Sequence, residues 1–334
     1  MELLKNTDSG LFCELGNFFI DPWKPVKRAV ITHAHSDHSR WGMSHYLAHE
    51  QSKSVMNLRL GKDISLDTVS YGQVISVQGV RVSFHPAGHI PGSSQIRLEY
   101  KGRVEVVSGD YKLAEDGLSE AFEPVGCHSF VSECTFGLPI YQWEDQQAVF
   151  AKINGWWAEN AANGRCSVLF AYALGKAQRI IRHLDTSIGP TWVHGAIWNT
   201  NEALRADGLD LPVVEKVSDS TPKDAYRKAL IIAPPSALGT PWLKRFAPFR
   251  TGIGSGWMNI RGAKRRRAAD AGFVLSDHAD WRGLNEAIAA TGAEEVLLTH
   301  GFTDSYARYL CEQGINASVL ATHFVGEATE PMDQ

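Results

Sequence analysis

Ile31-Thr32-His33-Ala34-His35-Ser36-Asp37-His38 decides how the chain is read. Four metal-binding side chains crowd into six residues, with the spacing H-x-H-x-D-H. They follow directly on the apolar run Ala29-Val30-Ile31, which reads as a buried strand. A loop at a strand end is where a rigid scaffold commonly holds a functional site. Neutral imidazoles with a carboxylate suit zinc, or manganese where oxygen ligands weigh more. In an extended segment His33 and His35 point to the same side. Asp37 and His38, at the bend, can turn toward a second ion. A solvated loop that happens to hold histidines would need no distant partners, and the chain supplies them.

Downstream, Gln73-Val74-Ile75-Ser76-Val77 and Val80-Arg81-Val82-Ser83-Phe84 read as strands around the tight turn Gln78-Gly79. They lead into His85-Pro86-Ala87-Gly88-His89, where His89 offers a third imidazole to the first metal and His85 reads as structural. Gln95 to Tyr100 alternates strictly, turns at Lys101-Gly102 and returns as Val104 to Val107. That strand ends in Ser108-Gly109-Asp110, and a carboxylate there can bridge two ions. The strand Ser129 to Ser132 ends in Glu133, either another functional carboxylate or a cap. Upstream, two short strands flank Gly16, and the second ends in Asp21. Taken alone, Asp21 reads as a turn former. It can also orient the histidine loop through a hydrogen bond.

From about Glu144 the chain alternates helix and strand, in the manner of a doubly wound sheet. The helix Gln146 to Asn163 carries Trp156 and Trp157, read as core or interface rather than as a base-stacking platform. The strand Ser167 to Ala171 leads through Gly175 into a helix from Lys176 to Leu184. Gly175 and Lys176 at that N-terminus make a candidate phosphate seat. Ser236, after the strand Ala229 to Ala233, can touch a phosphate or simply turn. Arg265, in the run Lys264-Arg265-Arg266-Arg267, is a candidate phosphate clamp, because guanidinium forks match phosphate oxygens. A further strand ends in Ser276-Asp277-His278-Ala279-Asp280, and Glu295 to Thr299 ends in His300-Gly301. Helices are expected from Trp281 to Ala290 and from Ser305 to Gln313, before a loose acidic tail.

The 334 residues are 44% hydrophobic and 21% charged, enough for one large domain or two modest ones. A formal net charge of -4 makes any nucleic-acid surface local rather than global. The five cysteines show no C-x-x-C pair, which points to a reducing, cytoplasmic setting and no structural zinc knuckle. The N-terminus lacks the apolar core of a signal peptide, and no apolar stretch is long enough to span a bilayer.

The ordered motifs His33-Ala34-His35-Ser36-Asp37-His38, His89, Asp110 and His300 resemble those of the metallo-β-lactamase superfamily. Glu133, the helix–strand insert and Ser276-Asp277-His278-Ala279-Asp280 further resemble its β-CASP nuclease branch. Phe19-Ile20-Asp21-Pro22-Trp23, Thr135-Phe136-Gly137-Leu138-Pro139-Ile140-Tyr141, Ala171-Tyr172-Ala173-Leu174-Gly175-Lys176-Ala177-Gln178 and Ser255-Gly256-Trp257-Met258 look most like the bacterial ligase-associated DNA exonucleases.

The resemblance implies an α/β fold. A metallo-β-lactamase αββα sandwich, from residues 1–143 and 269–334, would carry an inserted doubly wound β-CASP lid at 144–268. It implies two divalent ions, zinc or manganese. His33, His35 and His89 would hold one ion, Asp37, His38 and His300 the other, and Asp110 would bridge them. Asp37, Glu133 and His278 are the implied catalytic residues, with His278 as general acid and Glu133 orienting it or raising its pKa. Gly175, Lys176, Ser236 and Arg265 would grip the DNA backbone without reading sequence. The expected activity is hydrolysis of DNA phosphodiester bonds by two-metal activation of water, as an exonuclease in DNA repair, in association with a DNA ligase and a helicase. An RNA nuclease of the ribonuclease J type is the alternative, since a histidine at the position of His300 is usual in RNA-processing members. A small-molecule hydrolase needs neither insert nor basic run, and a non-catalytic scaffold would have lost ligands that this chain keeps.

Overall fold

The structure, a computed structural model, describes residues 2–260 and 269–322. The basic run containing Arg265 and the acidic tail lie outside the described residues. The described chain divides into two compact units, residues 2–142 with 278–322 and residues 143–260 with 269–277.

The first unit contains two sheets. One has six strands in chain order: Leu4–Thr7, Gly10–Cys13, Phe18–Ile20, Ala29–Val30, Tyr46–His49 and Leu66–Val69. The other runs Ala317–Val319, Glu295–Gly301, Ser129–Cys134, Arg103–Val107, Ser94–Tyr100, Val80–Pro86 and Val74–Val77. Alternation along these strands sends one side chain in two inward. Leu11, Val30, Phe84, Ile96, Leu98 and Val131, drawn from both sheets, form one buried cluster.

The opposite face of the second sheet is covered by helices Trp281–Thr291 and Thr303–Glu312. The first of these begins where Asp280 Oδ1 accepts the backbone N–H of Gly283 at 2.8 Å. Its buried residues Leu284, Ala287, Ile288 and Thr291 recur every three or four positions, forming one stripe. Leu284 and Ile288 pack against the sheet cluster containing Phe130 and Val296. Each such buried side chain stabilises by about 1.5–3 kcal/mol. Gly292 ends the helix at φ 61°.

The second unit has a six-stranded, wholly parallel sheet in the order Glu215–Lys216, Thr191–Val193, Leu230–Ala233, Cys166–Phe170, Phe249–Gly254, Ala271–Phe273. Asp145 caps the helix Gln146–Ala162 by accepting from the N–H groups of Gln147 and Ala148. Trp157 is fully buried in this unit's core, and its indole N–H donates to the Lys228 carbonyl. Trp156 is only partly buried.

Two features depart from the sequence reading. Ala271–Phe273 pairs with Phe249–Gly254, so it joins the second unit's sheet rather than the first unit. The helix Lys53–Leu60 was passed over, because its eight residues bury only Val55, Met56 and Leu60, too few to establish a period. No helix among the described residues is long and apolar enough to cross a membrane.

Candidate metal centre

The centre lies wholly in the first unit, at the ends of neighbouring strands. Asp21 closes the strand Phe18–Ile20 with a φ of 42°, a left-handed conformation that aspartate tolerates better than most residues. Its buried carboxylate accepts three hydrogen bonds. Thr32 N–H donates to Oδ1 at 2.8 Å, the Thr32 hydroxyl donates to Oδ2 at 2.5 Å, and His38 Nδ1 lies 2.7 Å from Oδ2. The turn former and the orienting group are therefore the same residue.

This chain of bonds sets which imidazole nitrogen faces the centre. With its proton given to Asp21, the Thr32 hydroxyl accepts from His33 Nδ1, 3.0 Å away. His33 Nε2 then carries the lone pair. Thr299 repeats the device: its hydroxyl lies 3.3 Å from the Ser132 carbonyl and 3.0 Å from His300 Nδ1. A hydrogen-bonded Nδ1–H leaves Nε2 as the metal-binding nitrogen.

Asp110 reaches these imidazoles because Gly109, at φ 58°, lets its strand end pass against Thr32; a Cβ there would sit 2.6 Å from the threonine hydroxyl. Asp110 Oδ2 lies 3.5 Å from His33 Nε2 and 3.8 Å from His89 Nε2. Its Oδ1 lies 3.6 Å from His38 Nε2 and 3.0 Å from His300 Nε2. The two oxygens thus face different histidine groups. His35 Nδ1 joins the first group, 3.0 Å from His89 Nε2. Donors on a tetrahedral ion at 2.0–2.1 Å are spaced by roughly 3.3–3.5 Å, so these separations fit shared ions. His33 Nε2 is buried without a hydrogen-bond partner, a cost that an ion would relieve. His33, His35, His89 and Asp110 form one potential metal-holding group, and His38, Asp110 and His300 another. Asp37 stands at the rim, its Oδ2 3.6 Å from His38 Nε2.

Glu133 and His278 stand beside them, with Asp110, Glu133 and His278 forming a third such group. His278 Nδ1 lies 2.9 Å from both Glu133 oxygens. Glu133 is fixed in turn by the N–H of Tyr111 at 2.9 Å and by the hydroxyl of Thr135. The His278 ring is 4.7 Å from that of His89.

Burial, reinforced by His38, holds the His33 pKa well below its usual value. Burial alone would raise Asp110, but His38, His300 and His278 outweigh it and hold the carboxyl well below the usual range. Burial likewise opposes a proton on His38, yet Asp37, Asp110 and Asp21 overcome it and raise the pKa to about 10.

The expected phosphate seat is closed in the structure. The Gly175 N–H donates to Gln178 Oε1 at 2.7 Å. Lys176 is fully buried, with its ammonium 3.6 Å from Asp277 Oδ2 and 4.7 Å over the Tyr172 ring. Arg179, which the sequence reading passed over, donates to Asp277 Oδ1 at 2.9 Å and to the Ser276 carbonyl at 2.8 Å. These cations neutralise the residue preceding His278 instead of waiting for a phosphate. Ser236 lies half-buried in the turn Pro235–Ala237. The sequence reading also missed Thr32 and Thr299; their adjacency to His33 and His300 was the available signal.

No family model matches the chain. A protein of Opitutus terrae named probable DNA ligase is 30% identical over 310 residues, covering 92% of this chain and 30% of that protein. Cleavage and polyadenylation specificity factor 73 of Drosophila melanogaster is 27% identical over 177 residues, 49% of this chain and 25% of its own. Endoribonuclease YSH1 of Yarrowia lipolytica is 27% identical over 168 residues, 47% and 20% respectively. The chain thus spans less than a third of the length of these curated relatives. A crystal structure of a protein of unknown function from Enterococcus faecalis V583 matches with a TM-score of 0.60, covering 89% of this chain and 80% of that one. At 13% identity this is a likeness of fold alone.

Proposed function

Because the chain is a homologue of the β-CASP nucleases of the metallo-β-lactamase superfamily, we propose that it is a two-metal nuclease that hydrolyses DNA, as an exonuclease in repair. In this reading the first unit is the metallo-β-lactamase sandwich and the second is the β-CASP insert. The observation that carries the proposal is the division of the Asp110 oxygens between two sets of imidazoles.

His33, His35 and His89 would hold one ion and Asp37, His38 and His300 the other, with Asp110 between. Bound divalent ions lower the pKa of water toward neutrality and offset charge on the phosphoryl oxygens. Zinc suits the five imidazoles, and manganese suits the carboxylates. Asp21 and the two threonine hydroxyls keep the ligand nitrogens aimed. The departing oxygen needs a proton, and His278 is the donor. Glu133 grips its Nδ1–H, leaving Nε2 as the nitrogen that hands over the proton.

The name of the Opitutus terrae relative supports a working association with DNA ligation. A helicase partner rests on the family resemblance alone. All five cysteines are free, which supports a reducing, cytoplasmic setting. The endoribonuclease name among the relatives favours a second reading, cleavage of RNA. Matched single-stranded DNA and RNA oligomers, labelled at either end and incubated with zinc, manganese or magnesium, test both. Stepwise loss from one end of the DNA is expected, and loss of the RNA alone would overturn the DNA assignment.

A further inference from the structure

Trp41 leaves 75% of its surface exposed, although it follows the ligand His38 by only three residues. Its Cα therefore lies within about 11 Å of that ligand's. The loop carrying it is not slack. The buried Tyr46 hydroxyl donates to the Arg40 carbonyl at 2.8 Å and receives the Met43 N–H at 3.1 Å. Arg40 Nε donates back to the Asp37 carbonyl at 3.1 Å. The backbone thus holds an indole out into water, at a cost that a partner would remove.

Beside this loop runs a cationic segment. Ser44 N–H donates to the Val26 carbonyl at 3.0 Å and Ala29 N–H to the His45 carbonyl at 2.9 Å, so residues 26–29 and 44–45 lie side by side. Lys24, Lys27 and Arg28 are exposed on that segment, and none has an ion-pair partner among the described residues. Lys27 and Arg28 also border a cavity of about 630 Å³ whose walls include Phe18, Val30, Leu47 and Ile75. Asp67, on the same border, is engaged 3.2 Å from His45 Nε2. In a chain of net charge -4, three uncompensated cations next to an exposed indole are a local feature. Aromatic planes with neighbouring cations are the means by which proteins hold single strands without reading their sequence.

We propose that Trp41 stacks a base of the single strand whose end is being cleaved, while Lys24, Lys27 and Arg28 hold its phosphates. The inference rests on the nuclease reading and names how the first unit itself grips substrate. Steady-state kinetics of the metal-loaded protein test it on two oligomers of equal length, one of ordinary single-stranded DNA and one abasic throughout. Trp41→Ala is expected to raise KM for the ordinary oligomer about five- to a hundred-fold. It is expected to leave KM for the abasic oligomer unchanged, and Trp41→Phe to stay near the unaltered protein. The pair Lys27→Glu with Arg28→Glu raises KM for both oligomers and flattens the salt dependence. Turnover of bis(p-nitrophenyl) phosphate, too short to span from the metals to Trp41, is expected to stay constant in every variant. Equal KM in Trp41→Ala and the unaltered protein on ordinary DNA would overturn the inference while the nuclease reading stands. A shift from dimer to monomer on sedimentation, with KM unchanged, would instead make the indole a contact between copies. If the unaltered protein cleaves neither oligomer, both readings fall.

Discussion

His278 and Asp110 make opposite demands on an alanine substitution. Asp110 is shared by both histidine groups, so Asp110→Ala is expected to remove metal and abolish cleavage together. His278 is tied to Glu133 by its Nδ1, so His278→Ala is expected to retain metal and slow turnover about 10²–10⁴-fold. Metal analysis beside kinetics separates the two, and equal metal loss in both would contradict this division of roles. Thr299 offers a finer test. Thr299→Val deletes the acceptor for His300 Nδ1, and metal affinity is expected to fall about 10–100-fold, whereas Thr299→Ser retains it. Competition with a chromogenic chelator reads this directly, and equal affinities in the two variants would remove the hydroxyl from the account. The clustering of the histidines was legible because local spacing exposed it. The threonines were not, because a hydroxyl beside a histidine is common and only folding shows which acceptor takes its proton. Lys176 was misread for a related reason: a glycine and lysine at a helix start look the same whether a phosphate or a distant Asp277 awaits them.

At the scale of an element, His49 links the strand Tyr46–His49 to the turn and helix that follow. It is 2% exposed, stacks 3.6 Å from the Tyr71 ring and accepts the Gln51 N–H on Nδ1. That role requires a neutral ring. Burial, only partly opposed by Glu50, pulls its pKa down to about 4 from the ordinary 6.5. The folded value is the lower one, so the unfolded chain takes up the proton first. Stability is therefore expected to fall as pH drops from about 6.5 to about 4, and to be indifferent to this group above that window. His49→Gln is expected to flatten this dependence, as read from urea midpoints at pH 7 and pH 4.5. An unchanged slope would show that the ring is hydrated. Strictly alternating strands such as Ser94–Tyr100 were readable from sequence because period two is unambiguous. Tyr46–His49 was not, because four residues between polar loops carry too little pattern.

For the molecule as a whole, two cores in one chain mean that metal removal is expected to act unevenly. Chelation is expected to raise amide hydrogen exchange most in peptides covering residues 31–38, 87–90, 108–111 and 298–301, the strand ends that carry the potential metal-holding groups. Rises elsewhere and none there would place the ions at another location. The alternating helices and strands of the second unit were legible at this scale. The strand Ala271–Phe273 went to the other sheet because its apolar residues do not identify a partner, and parallel pairing with Phe249–Gly254 is a long-range choice. Asp21 has the widest reach. Its single carboxylate steadies His38 directly and His33 through Thr32, and those two imidazoles belong to opposite halves of the centre. The two potential metal-holding groups are thereby coupled. Asp21→Asn is expected to empty both in step, so that native mass spectrometry passes from doubly loaded to bare protein with little singly loaded species between.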